Sequence, residues 1–191
     1  LTLNRAGAVS DLGDKQAAVD LYDRVITIYE CLVDQEGRRE LSNDLATAYM
    51  QKGVVVSAMG DKQAAVGLHD RAITIYGRLV QEEGRHELAH DLAMAYVNKG
   101  VVASALGDQQ AAVGLYDSTI AIFERLVNQE GRRELANELA LAYRNKATTV
   151  HGLGDYQSAV GLYDCAIVIY ERLVLQEGRR ELANEMARAY M

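Results

Sequence analysis

One segment of the chain has residue types and a spacing that could do chemistry, since residues 86–90 read His-Glu-Leu-Ala-His. On a helix this pattern places two imidazoles on one face to bind zinc, with the glutamate as a general base. The corresponding segments elsewhere begin at Arg39, Arg133 and Arg180 and end in Asn. The match therefore reflects two surface substitutions in a recurring element, and no third ligand accompanies it, although a catalytic zinc needs three. We interpret the pair as solvated histidines, with adventitious metal binding as the alternative, and expect no enzyme activity and no cofactor.

Three other recurring groups are interpreted as structural. The Gly-Asp pairs lack the sequence of a phosphate-binding loop and follow no strand. A column of acids is expected to hydrogen-bond within or between repeats, and comprises Asp23, Asp70, Asp117 and Asp164. A cluster of arginines beside glutamates is expected to form a solvated, self-compensating edge, and comprises Arg38, Arg132, Arg133, Arg179 and Arg180.

The elements that position these residues recur every 47 residues without insertions. Gly-Asp pairs begin at Gly13, Gly60, Gly107 and Gly154. Glu-Gly-Arg elements have the same period, at Gly37, Gly84, Gly131 and Gly178. A gap-free period of this length is typical of stacked helical repeats. We therefore predict an all-α protein, an α-solenoid of antiparallel helix pairs.

Each repeat is predicted to contain two long helices. Apolar residues from Gln16 to Val33 follow helical spacing, and Gly37 is the natural residue to end that helix in a left-handed conformation. The other helix of the pair is expected from about Arg38 to the next Gly-Asp pair, with roughly 20–22 residues in each helix. Its buried face is predicted to carry Leu41, Leu45, Tyr49, Gly53, Val56 and Met59.

Over residues 1–191 the period predicts one repeat array without a linker. It would comprise a half helix at 1–12, helix pairs, and a half helix at 179–191, taken from a longer array. Because the two half helices complement one another, head-to-tail self-association is expected as an additional property.

The amino-acid composition argues against some classes of binding partner. A net charge of −7 and a sequence pI of about 5.1 argue against nucleic acid and against an anionic membrane surface. No uncharged apolar run is long enough to span a bilayer. Cys31 and Cys165 each occur in one repeat only and are too far apart in sequence to suggest a disulfide. Free thiols favour a reducing compartment such as the cytoplasm, although the sequence leaves the localisation open.

The segment 96–122 resembles a tetratricopeptide repeat (TPR). Small residues match where the helices of that family cross, at Gly100 and Ala112, and the turn at Gly107 and Asp108 matches as well. The aromatic residue that opens the family's first helix is matched by Tyr49, Tyr96 and Tyr143. The repeats here are longer than the family's, and the terminal proline is absent. The resemblance implies a right-handed superhelix in which the first helix of each pair lines a concave groove.

The resemblance also implies which residues face that groove. The family's Lys and Asn carboxylate clamp is absent, so the lining is mildly apolar, which suits an extended or helical peptide of modest polarity. The implied lining comprises Met50, Val54, Ser57, Val97, Asn98, Val101, Ser104, Arg144, Asn145, Thr148 and His151. The alternative interpretation is that these residues complete the packing of long helices.

Two functional hypotheses follow from the sequence. The first is a non-enzymatic protein–protein interaction scaffold that holds a peptide or a partner helix in the groove. The alternative is a structural module that stacks head to tail and has no dedicated ligand.

Overall fold

The computed structural model describes the backbone of residues 2–190 and the side chains of residues 4–190. Within this range the chain consists of helices and turns, without a strand, so the all-α prediction is confirmed. Leu1 and Met191, on which the pairing of the two predicted half helices partly depends, lie outside the described residues. The described α-helices are α1 Thr2–Asp11, α2 Lys15–Glu30, α3 Ser42–Ala58, α4 Lys62–Gln81, α5 Ala89–Ala105, α6 Gln109–Glu124, α7 Ala136–Gly152, α8 Tyr156–Glu171 and α9 Ala183–Tyr190.

The chain divides into two compact units, Leu1–Val102 and Ala103–Met191. The boundary falls inside α5, after Val102. The prediction of one continuous array over 1–191 therefore stays a prediction, and each unit is described by itself below.

Each Gly-Asp pair ends one helix and begins the next. Gly107 has a φ of 88°, a left-handed conformation that costs glycine little because it has no Cβ. The Asp108 N–H donates to the carbonyl of Ala103 at 3.0 Å, which closes α5. The Asp108 carboxylate accepts from the Ala111 N–H at 3.0 Å, which caps the start of α6. Asp14, Asp61 and Asp155 cap α2, α4 and α8 in the same way.

The Glu-Gly-Arg elements are more elaborate than the predicted glycine stop. After α2, α6 and α8 the chain makes a π-helical turn of five residues, as at Arg125–Gln129, and only then reaches the left-handed glycine. A short 3-10 turn such as Arg133–Leu135 precedes the next α-helix. The prediction of uninterrupted helices of 20–22 residues is therefore wrong for most of them, and α4, with 20 residues, is the exception.

The core of the first unit consists of aromatic side chains against alanines. Tyr22 packs with Ala6 and Ala18, while Val56 and Ala65 pack with Val102. Small residues are required where helix axes approach closely, because larger side chains would hold the helices apart. Leu45, Tyr49, Gly53 and Val56 are buried as predicted, and Leu41 is half-buried. Met59 is exposed, because it follows the last residue of α3 at the Gly-Asp turn.

The second unit uses the same chemistry. Tyr170 is fully buried with Ala140, Ala166 and Ala189, and Phe123 is also fully buried. Burying each of these aromatic side chains contributes roughly 1.5–3 kcal/mol relative to leaving it in water. The core of each unit therefore consists of aromatic residues in notches made by small residues.

Candidate functional site

The His-Glu-Leu-Ala-His segment does not lie on one regular helix. His86–Leu88 form a 3-10 turn, and α5 begins only at Ala89, so the four-residue spacing of the histidines is not that of a continuous α-helix. The Arg85 guanidinium donates to Glu87 at 3.0 Å, and the backbone hydrogen bond together with Arg85 lowers the pKa of Glu87. The His90 Nδ1 lies 3.6 Å from the Asp91 carboxylate. Among the described residues no group of three His, Cys, Asp or Glu side chains is placed to hold a metal ion.

The acid column forms ion pairs with the next repeat. Asp23 accepts from the Lys52 ammonium at 2.5 Å, and Asp70 accepts from Lys99 at the same distance. Asp117 repeats this contact with Lys146 in the second unit. The prediction that these acids hydrogen-bond within or between repeats is confirmed for Asp23 and Asp70, and Asp117 makes the equivalent ion pair.

Three of the five arginines at the predicted edge are paired with a glutamate within their own turn. Arg38 pairs with Glu40 at 2.9 Å, and Arg132 pairs with Glu134 at 3.1 Å. The Arg179–Glu181 pair is similar, at 3.0 Å. These pairs are largely solvated and contribute little to stability, but they leave less free positive charge for a phosphate.

In the first unit, the predicted groove residues lie on α3 and α5, and we call this set the first-helix face: Met50, Val54, Ser57, Val97, Asn98 and Val101. Val54 and Val101, which occupy equivalent positions 47 residues apart, are 48% and 49% exposed. Met50, Ser57 and Asn98 are half-buried. Val97 is only 9% exposed, so its side chain serves packing more than contact with a ligand.

In the second unit, several of the predicted groove residues already have partners. The Arg144 guanidinium pairs with Glu185, and the Thr148 hydroxyl lies 3.1 Å from the Tyr163 hydroxyl. The Ser104 hydroxyl donates to Gln109 at 3.2 Å. The exposed His151 contacts the Tyr156 ring edge-on, with centroids 5.0 Å apart, and Asn145 is half-buried. The surface that remains accessible here is more polar than the first-helix face of the first unit.

The first unit also contains a cavity of about 690 Å³ that sequence reasoning missed. It is lined by the end of α2, by α3 and α4, and by Tyr96 of α5, and none of its lining residues belongs to the predicted groove. The Glu30 carboxylate at its wall accepts from the Tyr49 hydroxyl and from the Arg71 guanidinium, the latter at 3.1 Å. Arg71 also donates to the Tyr49 hydroxyl at 2.7 Å, with its guanidinium carbon 5.3 Å from the centre of the tyrosine ring.

The cavity is therefore built to hold a carboxylate between a phenol and a guanidinium. Burial and the hydrogen bond to Glu30 raise the pKa of Tyr49 to about 12, so its hydroxyl remains a donor. A signal for this site was present in the sequence. Glu30, Glu124 and Glu171 occupy equivalent positions, and Gly77 alone departs from them. Comparing the copies along the second helices, as well as along the first, would have drawn attention to it.

The repeat geometry agrees with comparisons to known proteins. A family model for the tetratricopeptide repeat matches residues 45–86 and 92–132. The matched residues are tetratricopeptide repeats, and they make up somewhat less than half of the chain. A comparison with curated protein sequences gave no match. None of the helices in the described part of this TPR-like chain is long and apolar enough to cross a membrane.

Solved structures similar to the TPR-like chain show the same fold at low sequence identity. BtubC from P. vanneervenii has a TM-score of 0.69 and 21% identity, over 86% of this chain and 59% of that one. A Podosopora anserina protein described as a kinesin light chain with nearly identical TPR-like repeats has a TM-score of 0.63 and 20% identity, over 98% and 90%. A fragment of MamA from Desulfovibrio magneticus RS-1 has a TM-score of 0.57 and 16% identity, over 100% and 89%. The TPR-like chain thus spans less than two thirds of BtubC, and these likenesses concern the fold alone.

Proposed function

We propose that the chain is a non-enzymatic protein-interaction scaffold that holds a peptide or a partner helix against the first-helix face. Repeat proteins of this fold generally mediate protein–protein interaction, and no cofactor is required for that activity. The net charge of −7 argues against nucleic acid and against an anionic membrane surface as partners.

The observation that carries the proposal is the exposure of Val54 and Val101 at equivalent positions on successive first helices. α3 and α5 pack into one core cluster through Val56 and Val102, so the two valines are presented by rigid elements. Half-buried polar side chains, Ser57 and Asn98, accompany them. An apolar contact with nearby hydrogen-bonding groups is what a peptide of modest polarity requires.

A peptide-display selection on the purified protein, followed by affinity measurements on variants, tests the proposal. Val54→Glu and Val101→Glu should each lower the affinity for the selected peptides at least tenfold, because each places a charge in an apolar contact. The melting temperature should stay unchanged, because both positions are exposed.

Gln63→Glu is the matched control, since Gln63 is an exposed position on α4, a second helix. The proposal would be contradicted by peptides that bind both valine variants with wild-type affinity but no longer bind the Gln63→Glu variant. Self-association of the chain with no peptide selected would instead favour the structural module.

A further inference from the structure

A recurring hydrogen bond joins three of the second helices, α2, α6 and α8, to the first helix that follows each of them. The Tyr143 hydroxyl donates to Glu124 at 2.6 Å, and the Tyr190 hydroxyl donates to Glu171 at 2.6 Å. Tyr49 makes the same bond to Glu30. In each case the tyrosine lies 19 residues after the glutamate.

The second repeat lacks the glutamate but retains the tyrosine. Gly77 occupies the glutamate position, and Tyr96 lies 19 residues later on the wall of the 690 Å³ cavity. The Tyr96 hydroxyl makes no hydrogen bond to the residues that the structure describes. A Cβ placed on Gly77 would meet no atom within 4 Å, so the space that a glutamate side chain fills elsewhere is open here.

We propose that this cavity binds a carboxylate side chain of an acidic peptide, seated over Gly77 and accepting a hydrogen bond from the Tyr96 hydroxyl. The opposite wall of the cavity already holds a carboxylate in this way, because Glu30 accepts hydrogen bonds from Tyr49 and Arg71. Arg78 adds a second guanidinium to the lining, where its Nε lies 3.5 Å from the Glu83 carboxylate and its Nη2 donates to the Ser42 hydroxyl at 3.2 Å. A ligand carboxylate supplies the acceptor that the three other repeats provide from their own chain.

The surrounding charges restrict the ligand to a single acid. Glu30 and Asp70 line the cavity, but each is paired, with Arg71 and Lys99 respectively. Asp34 and Glu82 are exposed lining residues without an ion pair to the side chains that the structure describes. A peptide with one acidic residue among neutral or basic neighbours therefore fits better than a polyacidic segment, which these two carboxylates would repel.

This site goes beyond the proposed function, because its lining shares no residue with the first-helix face. The probes are acetyl-Ala-Glu-Ala-amide and propionate, each compared with its neutral counterpart, the glutamine peptide or propionamide. The readout is the NMR signal of the Tyr96 ring in tyrosine-labelled protein. Saturable shifts are expected with the two carboxylates and not with the two amides.

Gly77→Glu should abolish the response, because the introduced carboxylate occupies the site itself. Gly67→Glu is the matched control, a glycine on the same helix that is also exposed to open space, and it should leave the response intact. Tyr96→Phe should weaken the binding of both carboxylate probes about tenfold, since a hydrogen bond to a charged group is lost. Binding to this variant is followed through the NMR signal of the Tyr49 ring, which lies in the same cavity.

Equal shifts with carboxylate and amide would overturn the proposal, as would a response that survives Gly77→Glu. Val54→Glu should not change the propionate response, so failure of this site is distinguishable from failure of the first-helix face. Gly77→Glu also has a readout without ligand. It should raise the melting temperature relative to Gly67→Glu by restoring the bond seen in the other repeats.

Discussion

At the scale of single residues, the most unusual side chain is a buried histidine in a tyrosine column. His69 is 1% exposed and occupies the position held by Tyr22, Tyr116 and Tyr163 in the other copies. A Cβ on Gly53 would lie 2.6 Å from the His69 Cε1, so the imidazole fits only because residue 53 is glycine. The His69 Nδ1 is buried without a hydrogen bond. The sequence predicted that Gly53 is buried. It did not predict that the His69 imidazole packs against Gly53, because that contact joins two different helices.

His69 should make the stability of the protein pH-dependent. Burial lowers its pKa to about 4, with Asp70 opposing and Lys99 assisting that shift. The unfolded chain therefore binds a proton near pH 6.5 that the folded chain does not bind until about pH 4. The stabilisation from neutral His69 is full above pH 6.5 and falls by about 3 kcal/mol as the pH drops towards 4.

Urea unfolding between pH 8 and pH 4 measures this effect, with His69→Tyr as the reference. The tyrosine variant should lose less stability over that interval, because it carries the residue found at the equivalent positions. Parallel curves for the two proteins would show that His69 is not the source of the pH dependence.

The histidine pair at His86 and His90 should be dispensable for the fold. His86 is exposed, and the segment changes from a 3-10 turn to an α-helix between the two rings. We expect His86→Ala and His90→Ala to change the free energy of unfolding by about 0.5 kcal/mol or less, and the dialysed wild-type protein to carry no stoichiometric metal. Atomic absorption after treatment with a chelator is the measurement, and one retained zinc per chain would reinstate a metal site.

At the scale of elements, local chemistry explains what the sequence could predict. The Gly-Asp turns were predictable because a left-handed residue and a helix cap both depend on the residue type at one position, as at Gly107 and Asp108. The π-helical turns were not, since Leu126 and Val127 lie in such a turn, whereas Leu79 and Val80, the same residues equally buried at the equivalent positions, lie in the regular helix α4. The cavity was missed because Gly77 is informative only once Tyr96 is known to lie beside it.

Alanine substitution at two glycines of the first unit should change the stability of the protein in opposite directions. Gly84 has a φ of 70°, where a Cβ is strained, so Gly84→Ala should destabilise the protein by about 1–2 kcal/mol. Gly67 lies inside α4 facing open space, so Gly67→Ala should stabilise it by about 0.5–1 kcal/mol, because alanine loses less backbone entropy on folding. Chemical denaturation of both variants measures the sign, and two shifts in the same direction would refute the assignment of the turn.

At the scale of the whole molecule, the period of 47 residues predicted the fold but not the partner. Structures at 16–21% identity share the architecture, so the fold tolerates wide variation in sequence. Partner choice depends on side chains that vary between copies without affecting packing, such as Met50, Val97 and Arg144. One of these, Val97, is buried and another, Arg144, pairs with Glu185, which sequence position alone does not reveal.

The most direct test of the scaffold account is methyl NMR of valine-labelled protein, titrated with a peptide selected by display. The account predicts that the methyl signals of Val54 and Val101 shift and saturate together. Val160 and Val168, which are exposed on the second helix α8, serve as internal references and should not move. Saturable shifts at Val160 or Val168, with Val54 and Val101 unchanged, would contradict the account.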